Sequence, residues 1–247
     1  MYITQELLRK YGDKRGNLSE VKKGETGTGL LIEHDGHVIG NRDMVAQIKE
    51  DIEHHKEFVI PDKFIVSAVF QKYGIKNANG RVYPEMILKR EVDKYINERV
   101  KVRASVGALD HPESSTLSGH DVSHVITNLE WKGHTLIGEM ELHLTPGYRR
   151  YGIPGTSGDL VANMVLNDIL IGVSSRGVGS VEERLGVLEV GDNFELLAWD
   201  VVCEPSTPNA FIAKNMEDLV QFIESDESRN DKPNINEKIN KINKILL

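Results

Sequence analysis

Apolar and polar positions alternate along residues 63–70, where Phe64, Val66, Ala68 and Phe70 are separated by Ile65, Ser67 and Val69. Period two in a run rich in β-branched and aromatic residues predicts a strand. Asn77 to Gly80 follows as a turn, because Asn and Gly accept positive φ. Pro84 suits the first turn of a helix, and Leu88, Val92, Tyr95 and Ile96 keep helical spacing as far as Arg99. Ser105 to Leu109 reads as a strand. Val122–Trp131 and Thr135–Leu144 are β-rich runs joined at Lys132-Gly133-His134, the pattern of a hairpin. Thr156-Ser157-Gly158-Asp159 has the form of a capping box, opening a helix through Leu160, Met164 and Ile169. Short strands are expected at 171–178, 180–184, 187–190 and 194–202, then an amphipathic helix from Ala213 to Ile223.

The two ends differ from this middle. Residues 1–60 read as a polar extension that wraps the domain or stays mobile, with one short apolar run at Gly29-Leu30-Leu31-Ile32. Its Gly24–Gly29 stretch reads as a flexible linker, since the lysine and hydroxyl residue that close a phosphate loop are missing. Residues 225–247 form a tail in which Ile235, Ile239, Ile242 and Ile245 recur at three- and four-residue steps, a weak amphipathic helix suited to binding scaffold or a second copy. That leaves 61–224 as the domain. Short strands interrupted by a few helices, without regular β-α alternation, indicate an α+β fold with a mainly antiparallel sheet or barrel.

Composition narrows the function classes. No apolar run is long enough to cross a bilayer, and no signal-peptide pattern opens the chain. A single cysteine, Cys203, excludes an internal disulfide framework and argues against a Cys-rich metal site. The net charge of −8 sets the chain against nucleic-acid binding by phosphate neutralisation.

What chemistry remains centres on Gly172-Val173-Ser174-Ser175-Arg176-Gly177-Val178-Gly179, Leu109-Asp110-His111-Pro112 and Asp200. A serine hydroxyl must pass its proton to a base as it attacks a carbonyl, and a carboxylate then holds the imidazole in the right tautomer. Alternating faces allow only one of Ser174 and Ser175 into a site. A bend after the serine, eased by Gly177, would aim N–H groups of Ser175, Arg176 and Gly177 at an oxyanion. The serine elbow of α/β-hydrolases is excluded, because Arg176 stands where its second glycine belongs. Pro112 biases His111 towards a loop exit from its strand. Asp200 interrupts an apolar run, so it either faces a partner or turns to solvent. His111, His120 and His124 form an alternative set, as zinc ligands, although the strand-like spacing of Val122, Val125 and Ile126 puts the last two on no common helical face.

Taken in order, these segments resemble the T4-type prohead (procapsid) maturation proteases of tailed bacteriophages. The resemblance runs from about Phe64 to Phe211. It rests on Asn77-Ala78-Asn79-Gly80-Arg81-Val82-Tyr83-Pro84, Asp93-Lys94-Tyr95-Ile96-Asn97-Glu98, Gly107-Ala108-Leu109-Asp110-His111-Pro112, Trp131-Lys132-Gly133, Gly172 to Gly177, and Asp200-Val201-Val202 with Pro205-Ser206. It implies a β-barrel flanked by helices, like that of herpesvirus assemblins, and a serine endopeptidase needing no metal or cofactor. Carried over, Ser174 is the nucleophile, His111 the base and Asp200 the third member, with His120 and His124 kept as alternatives because assemblins use a second histidine. The implied setting is the phage prohead in the host cytoplasm. The implied substrates are scaffold, capsid and internal core proteins and the protease itself, with no membrane or nucleic-acid partner. T4-type enzymes cut after a Glu preceded two residues earlier by Leu or Ile, which marks Leu18-Ser19-Glu20 and Ile235-Asn236-Glu237. Residues 1–60 match poorly, and Ala108 stands where the family often has an acid. A non-catalytic core component of the same fold is the competing expectation.

Overall fold

The computed structural model describes residues 20–40, 46–50, 60, 62–112, 117–167, 169 and 171–203, the side chains of 33–40 excepted. The expected helix at 213–223, the tail at 225–247 and Glu237 lie outside the described residues. Nine strands dominate the described residues: β1 Gly27–Gly40, β2 Ile65–Lys72, β3 Arg81–Val82, β4 Val106–Ala108, β5 Val122–Lys132, β6 Thr135–Leu142, β7 Gly172–Arg184, β8 Val187–Val190 and β9 Glu195–Val202. The longer helices are α1 Glu85–Tyr95, which runs on into a π-turn at Ile96–Val100, α2 Pro146–Tyr151 and α3 Ser157–Leu166. The fold is a mixed α+β arrangement, rich in sheet.

The strands form one sheet in the order β3-β8-β7-β1-β2-β6-β5-β4, with β9 also on β7. All its ladders are antiparallel except β3 with β8. At the far end β4 meets β9 through a single parallel bridge, Leu109 to Val201, rather than a ladder. A closed barrel is therefore not formed by the ladders, in contrast to expectation.

Alternation does what it predicts in β2, where Val66, Ala68 and Phe70 are buried. A register shift between Val69 and Gln71 then turns Gln71 inward as well. The hairpin of β5 and β6 closes across Gly133-His134, Gly133 supplying positive φ. Asn77 organises the expected turn through its side chain, which accepts from the N–H of Asn79 and of Arg81. Leu88, Val92 and Tyr95 bury one face of α1, and α3 opens on the Thr156/Asp159 capping box.

The clearest departure is at the N-terminal side. Residues 27–40, assigned to a polar extension, form β1 between β7 and β2. The strand escaped notice because its polar residues, Glu33, His34, Asp35 and His37, mask the apolar run Leu30-Leu31-Ile32. The segments expected as two strands at 171–178 and 180–184 are one, since Gly179 continues the ladder against Gly29 and marks no break.

Candidate active site

β7 is central here, flanked by β1 on one side and β9 on the other. Its period of two sorts the candidates. Val173 and Val201 belong to the main core with Leu31 and Trp199, and Ser175 is paired with Trp199 across the β7–β9 ladder. Ser174 is paired with Asp200, and Arg176 and Val178 follow on that same face, where Val178 packs with Leu30 and Ile32. Ser174 and not Ser175 therefore shares a face with Asp200.

Trp199 sets the depth of this arrangement. Its ring meets Phe70 of β2 at 5.4 Å and Tyr95 of α1 at 5.0 Å, both edge to face. With Trp199 locked into the main core, the next residue must point to the other face, and that face is covered too. Asp200 is fully buried.

A buried carboxylate needs partners, and Asp200 has several. One oxygen accepts from the N–H of Ala108 at 2.9 Å and from Nη2 of Arg176 at 3.2 Å. The other faces Nδ1 of His111 at 2.9 Å and accepts from Nε of Arg176. Burial pushes the Asp200 pKa up. The hydrogen bond from His111, the charge and N–H groups of Arg176, and the Ala108 N–H together outweigh it, so the carboxyl sits below its ordinary value. It is an anion at neutral pH.

His111 reaches this carboxylate because the chain turns sharply in front of it. After β4, Leu109 bridges to Val201 and the N–H of Asp110 donates to the Val201 carbonyl at 2.7 Å. Asp110 then adopts φ 62°, a left-handed conformation that Asp tolerates better than most residues. The imidazole that follows places Nε2 2.7 Å from the Ser174 hydroxyl oxygen. Its side chain is 17% exposed, while Ser174 is buried, so the cluster opens to solvent at the imidazole. Close packing supports the seam from behind: a Cβ on Gly107 would fall 2.0 Å from the Trp199 carbonyl oxygen and 2.5 Å from the His124 ring, both closer than non-bonded atoms approach.

The two histidines kept as alternatives sit on other elements. His120 is exposed on the turn at Ser118–Asp121. His124 is fully buried in β5, its Nδ1 2.9 Å from the Ser123 hydroxyl, turned inward by the irregularity that opposes Gly107-Ala108 to His124 and Val122. Nδ1 of His111 is engaged by Asp200, the role for which the second histidine was kept as an alternative. No group of three His, Cys, Asp or Glu able to hold a metal occurs among the described residues, so the zinc set of His111, His120 and His124 is not assembled.

A second correction concerns the oxyanion donors. β7 does not bend after Ser174; Ser175, Arg176 and Gly177 continue in register with Glu33, Ile32 and Leu31 on one side, and with Trp199, Ala198 and Leu196 on the other. Their N–H groups lie in the plane of the sheet and point at neighbouring strands, not together towards the Ser174 hydroxyl. The Arg176 side chain is spent on Asp200.

Residues 25–220 match the model of the prohead core protein serine protease family. The chain belongs to that family. It is 29% identical over 180 residues to the prohead core protein protease of Enterobacteria phage T4, across 71% of this chain and 80% of the relative. Its fold is similar to the solved bacteriophage T4 capsid assembly protease, with a TM-score of 0.57 and 24% identity over 72% of this chain and 99% of that one. Membership makes the chain a prohead protease. The family match begins at residue 25, just before β1 and well before the start expected from the motifs.

Proposed function

We propose that this prohead protease is a serine endopeptidase in which Ser174 is the nucleophile, His111 the general base and acid, and Asp200 the residue that orients the imidazole. The observation that carries the reading is the continuous relay from the Ser174 hydroxyl to Nε2 of His111 at 2.7 Å and from Nδ1 of His111 to Asp200 at 2.9 Å. With its proton on Nδ1 donated to the Asp200 carboxylate, the imidazole presents the Nε2 lone pair to Ser174. As the Ser174 oxygen bonds to the scissile carbonyl carbon, its proton passes to Nε2. The same proton then goes to the departing amine, leaving an acyl-enzyme that water cleaves by the reverse relay. Such a chain requires neither metal nor cofactor.

Scaffold, capsid and internal core proteins are the substrates this reading assigns, cut inside the prohead in the host cytoplasm, together with the chain itself after Glu20 and Glu237. The seam at Leu109 and Val201, with its added hydrogen bond from Asp110, brings the end of β4 against β9 beside the active site. Purified full-length protein incubated with denatured casein and followed by mass spectrometry tests the chemistry. Ser174→Ala and His111→Ala are each expected to lower peptide-bond cleavage by roughly 10³-fold or more, and a chelator to leave it unchanged. Cleavage that persists in Ser174→Ala would overturn the reading. Intact masses of wild type and Ser174→Ala test self-processing; identical termini in both would remove the two sites.

A further inference from the structure

Arg176 is a buried ionic group beside the relay to which the hydrolytic scheme gives no task. It is fully buried on the Ser174 face of β7, two residues beyond the nucleophile. It meets Asp200 side-on, Nε on one carboxylate oxygen and Nη2 on the other, and the oxygen that receives Nε is the one facing His111. A guanidinium gripping a carboxylate through two N–H groups fixes the plane of that carboxylate as well as its position. It also brings a full positive charge to within one shared atom of the imidazole. Desolvating such a charge is costly, and the carboxylate it grips offsets that cost only while the pair stays intact. Its presence here calls for a reason beyond packing.

We propose that Arg176 is a positioning residue of the relay: it fixes the Asp200 edge that His111 uses and offsets the carboxylate charge, so that the imidazole works beside a nearly neutral pair rather than a bare anion. This rests on the serine–histidine–aspartate reading above. An unshared carboxylate would hold the imidazolium strongly and keep it protonated to higher pH, removing the free Nε2 that Ser174 needs. Arg176 weakens that hold and keeps the base available at lower pH. The other ionisable groups around the pair leave this effect to Arg176. His124 of β5 is buried and neutral, Tyr95 of α1 is buried with its phenol pushed up by burial, and the charge of Arg99 of the π-turn acts on Tyr95. Asp110 precedes His111 in the chain, and Glu33 and His34 of β1 lie in register with Ser175 and Ser174; none of these three changes when Arg176 is replaced.

The test follows the rate at which diisopropyl fluorophosphate phosphorylates Ser174 between pH 5 and 9, in full-length enzyme, with the modified residue located by peptide mapping. The Ser174 oxygen bonds to phosphorus, fluoride leaves and His111 takes the proton, so the rate reads the relay without a peptide substrate. Arg176→Gln is expected to move the acid limb of the profile up by about one pH unit and to lower its plateau about tenfold. Arg176→Lys keeps the charge and loses the fork, so its limb should stay near that of wild type while the plateau falls about threefold. A merely structural role would lower labelling without moving the limb, and an unmoved limb in folded Arg176→Gln overturns the proposal. If Arg176→Gln does not fold, Arg176→Met, which also removes the charge, decides: an acid limb moved up supports the proposal, and an unmoved limb overturns it. Labelling that maps to Ser175, or survives His111→Ala undiminished, sinks the underlying reading instead.

Discussion

His124 is neutral at physiological pH because its surroundings do not outweigh the effect of burial. Desolvation lowers its pKa to about 4, against smaller opposing contributions from the Asp200 charge and the Trp199 carbonyl. In the unfolded chain the same imidazole titrates near ~6.5. Between those values the unfolded chain binds a proton that the folded chain refuses, so stability declines as pH falls from about 6.5 towards 4. This one group is expected to remove about 2.5 kcal/mol by pH 4.5 relative to pH 7. Urea denaturation of wild type and His124→Gln at the two pH values checks it: the variant should lose less by about that amount, and equal losses would show that His124 is not the group responsible. Asp110 supplies a second residue-scale test. A β-branched residue at φ 62° costs about 1–2 kcal/mol locally, so Asp110→Val should turn His111 away from Ser174 and cut casein cleavage tenfold or more, whereas Asp110→Asn should stay within about threefold of wild type. Part of this site was legible in the chain: period two admitted only one of Ser174 and Ser175, and the family resemblance chose Ser174 and Asp200 where alternation left both open. What the chain withheld was the partner of Asp200. Arg176 was read as an oxyanion aid because its neighbours resemble a turn, and nothing in one strand reveals that a residue two positions from the serine meets a carboxylate from another.

At the scale of elements, periodicity and capping chemistry succeeded wherever they acted locally. α1, α3 and the β5–β6 hairpin fall close to their expected bounds because each carries its own signal: helical spacing, a capping box, a tight turn. α2 was missed because six residues opening at Pro146 give too short a window for periodicity; its signal was the Thr145 cap, which accepts from the N–H of Tyr148. Irregularities that reposition single residues, such as those turning Gln71 and His124 inward, depend on the partner strand and leave no mark in the sequence. α2 and α3 are joined by one side chain. The buried carboxylate of Asp159 accepts from the N–H and hydroxyl of Thr145, the cap of α2, and from the N–H groups of Gly155 and Thr156 at the start of α3. Burial raises its pKa, and those donors together bring it below the usual carboxylate value, so it is ionised and doubly capping. Asp159→Ala leaves these donors unpaired and is expected to cost about 3 kcal/mol, lowering Tm by about 6–12 °C. Differential scanning calorimetry measures it. Asp159→Asn, which keeps one acceptor, should lose roughly half as much, and a shift of less than 2 °C in Asp159→Ala would reduce the clamp to an incidental contact.

For the whole molecule, the decisive element is the one the polarity of the N-terminal region concealed. β1 separates β7, which carries Ser174 and Arg176, from β2, whose Val66, Ala68 and Phe70 line the main core. Without it, β7 and β2 each expose a row of unpaired backbone groups to the other, and the sheet order is cut between the nucleophile and the hairpin strands that lead to His111. Val21 fastens the approach to β1: it is buried, its N–H donates to the Leu30 carbonyl at 3.0 Å, and its own carbonyl accepts from the buried guanidinium of Arg81. Glu20 next to it is exposed. A cut after Glu20 would release the Glu20–Leu30 bridge and make the Val21 nitrogen a terminal ammonium still able to donate to Leu30, while the Val21 side chain and its carbonyl contact with Arg81 are kept. A protein beginning at Val21 is expected to unfold cooperatively and to be labelled at Ser174 by the fluorophosphate within about twofold of wild type. A protein lacking residues 1–40 should show neither a cooperative transition nor labelling, because removing a central strand costs more than the 5–15 kcal/mol on which a typical domain rests. Circular dichroism melts and labelling of the two truncations, made side by side, separate these outcomes; a cooperative, labelled product from the longer deletion would return β1 to the status of a dispensable extension.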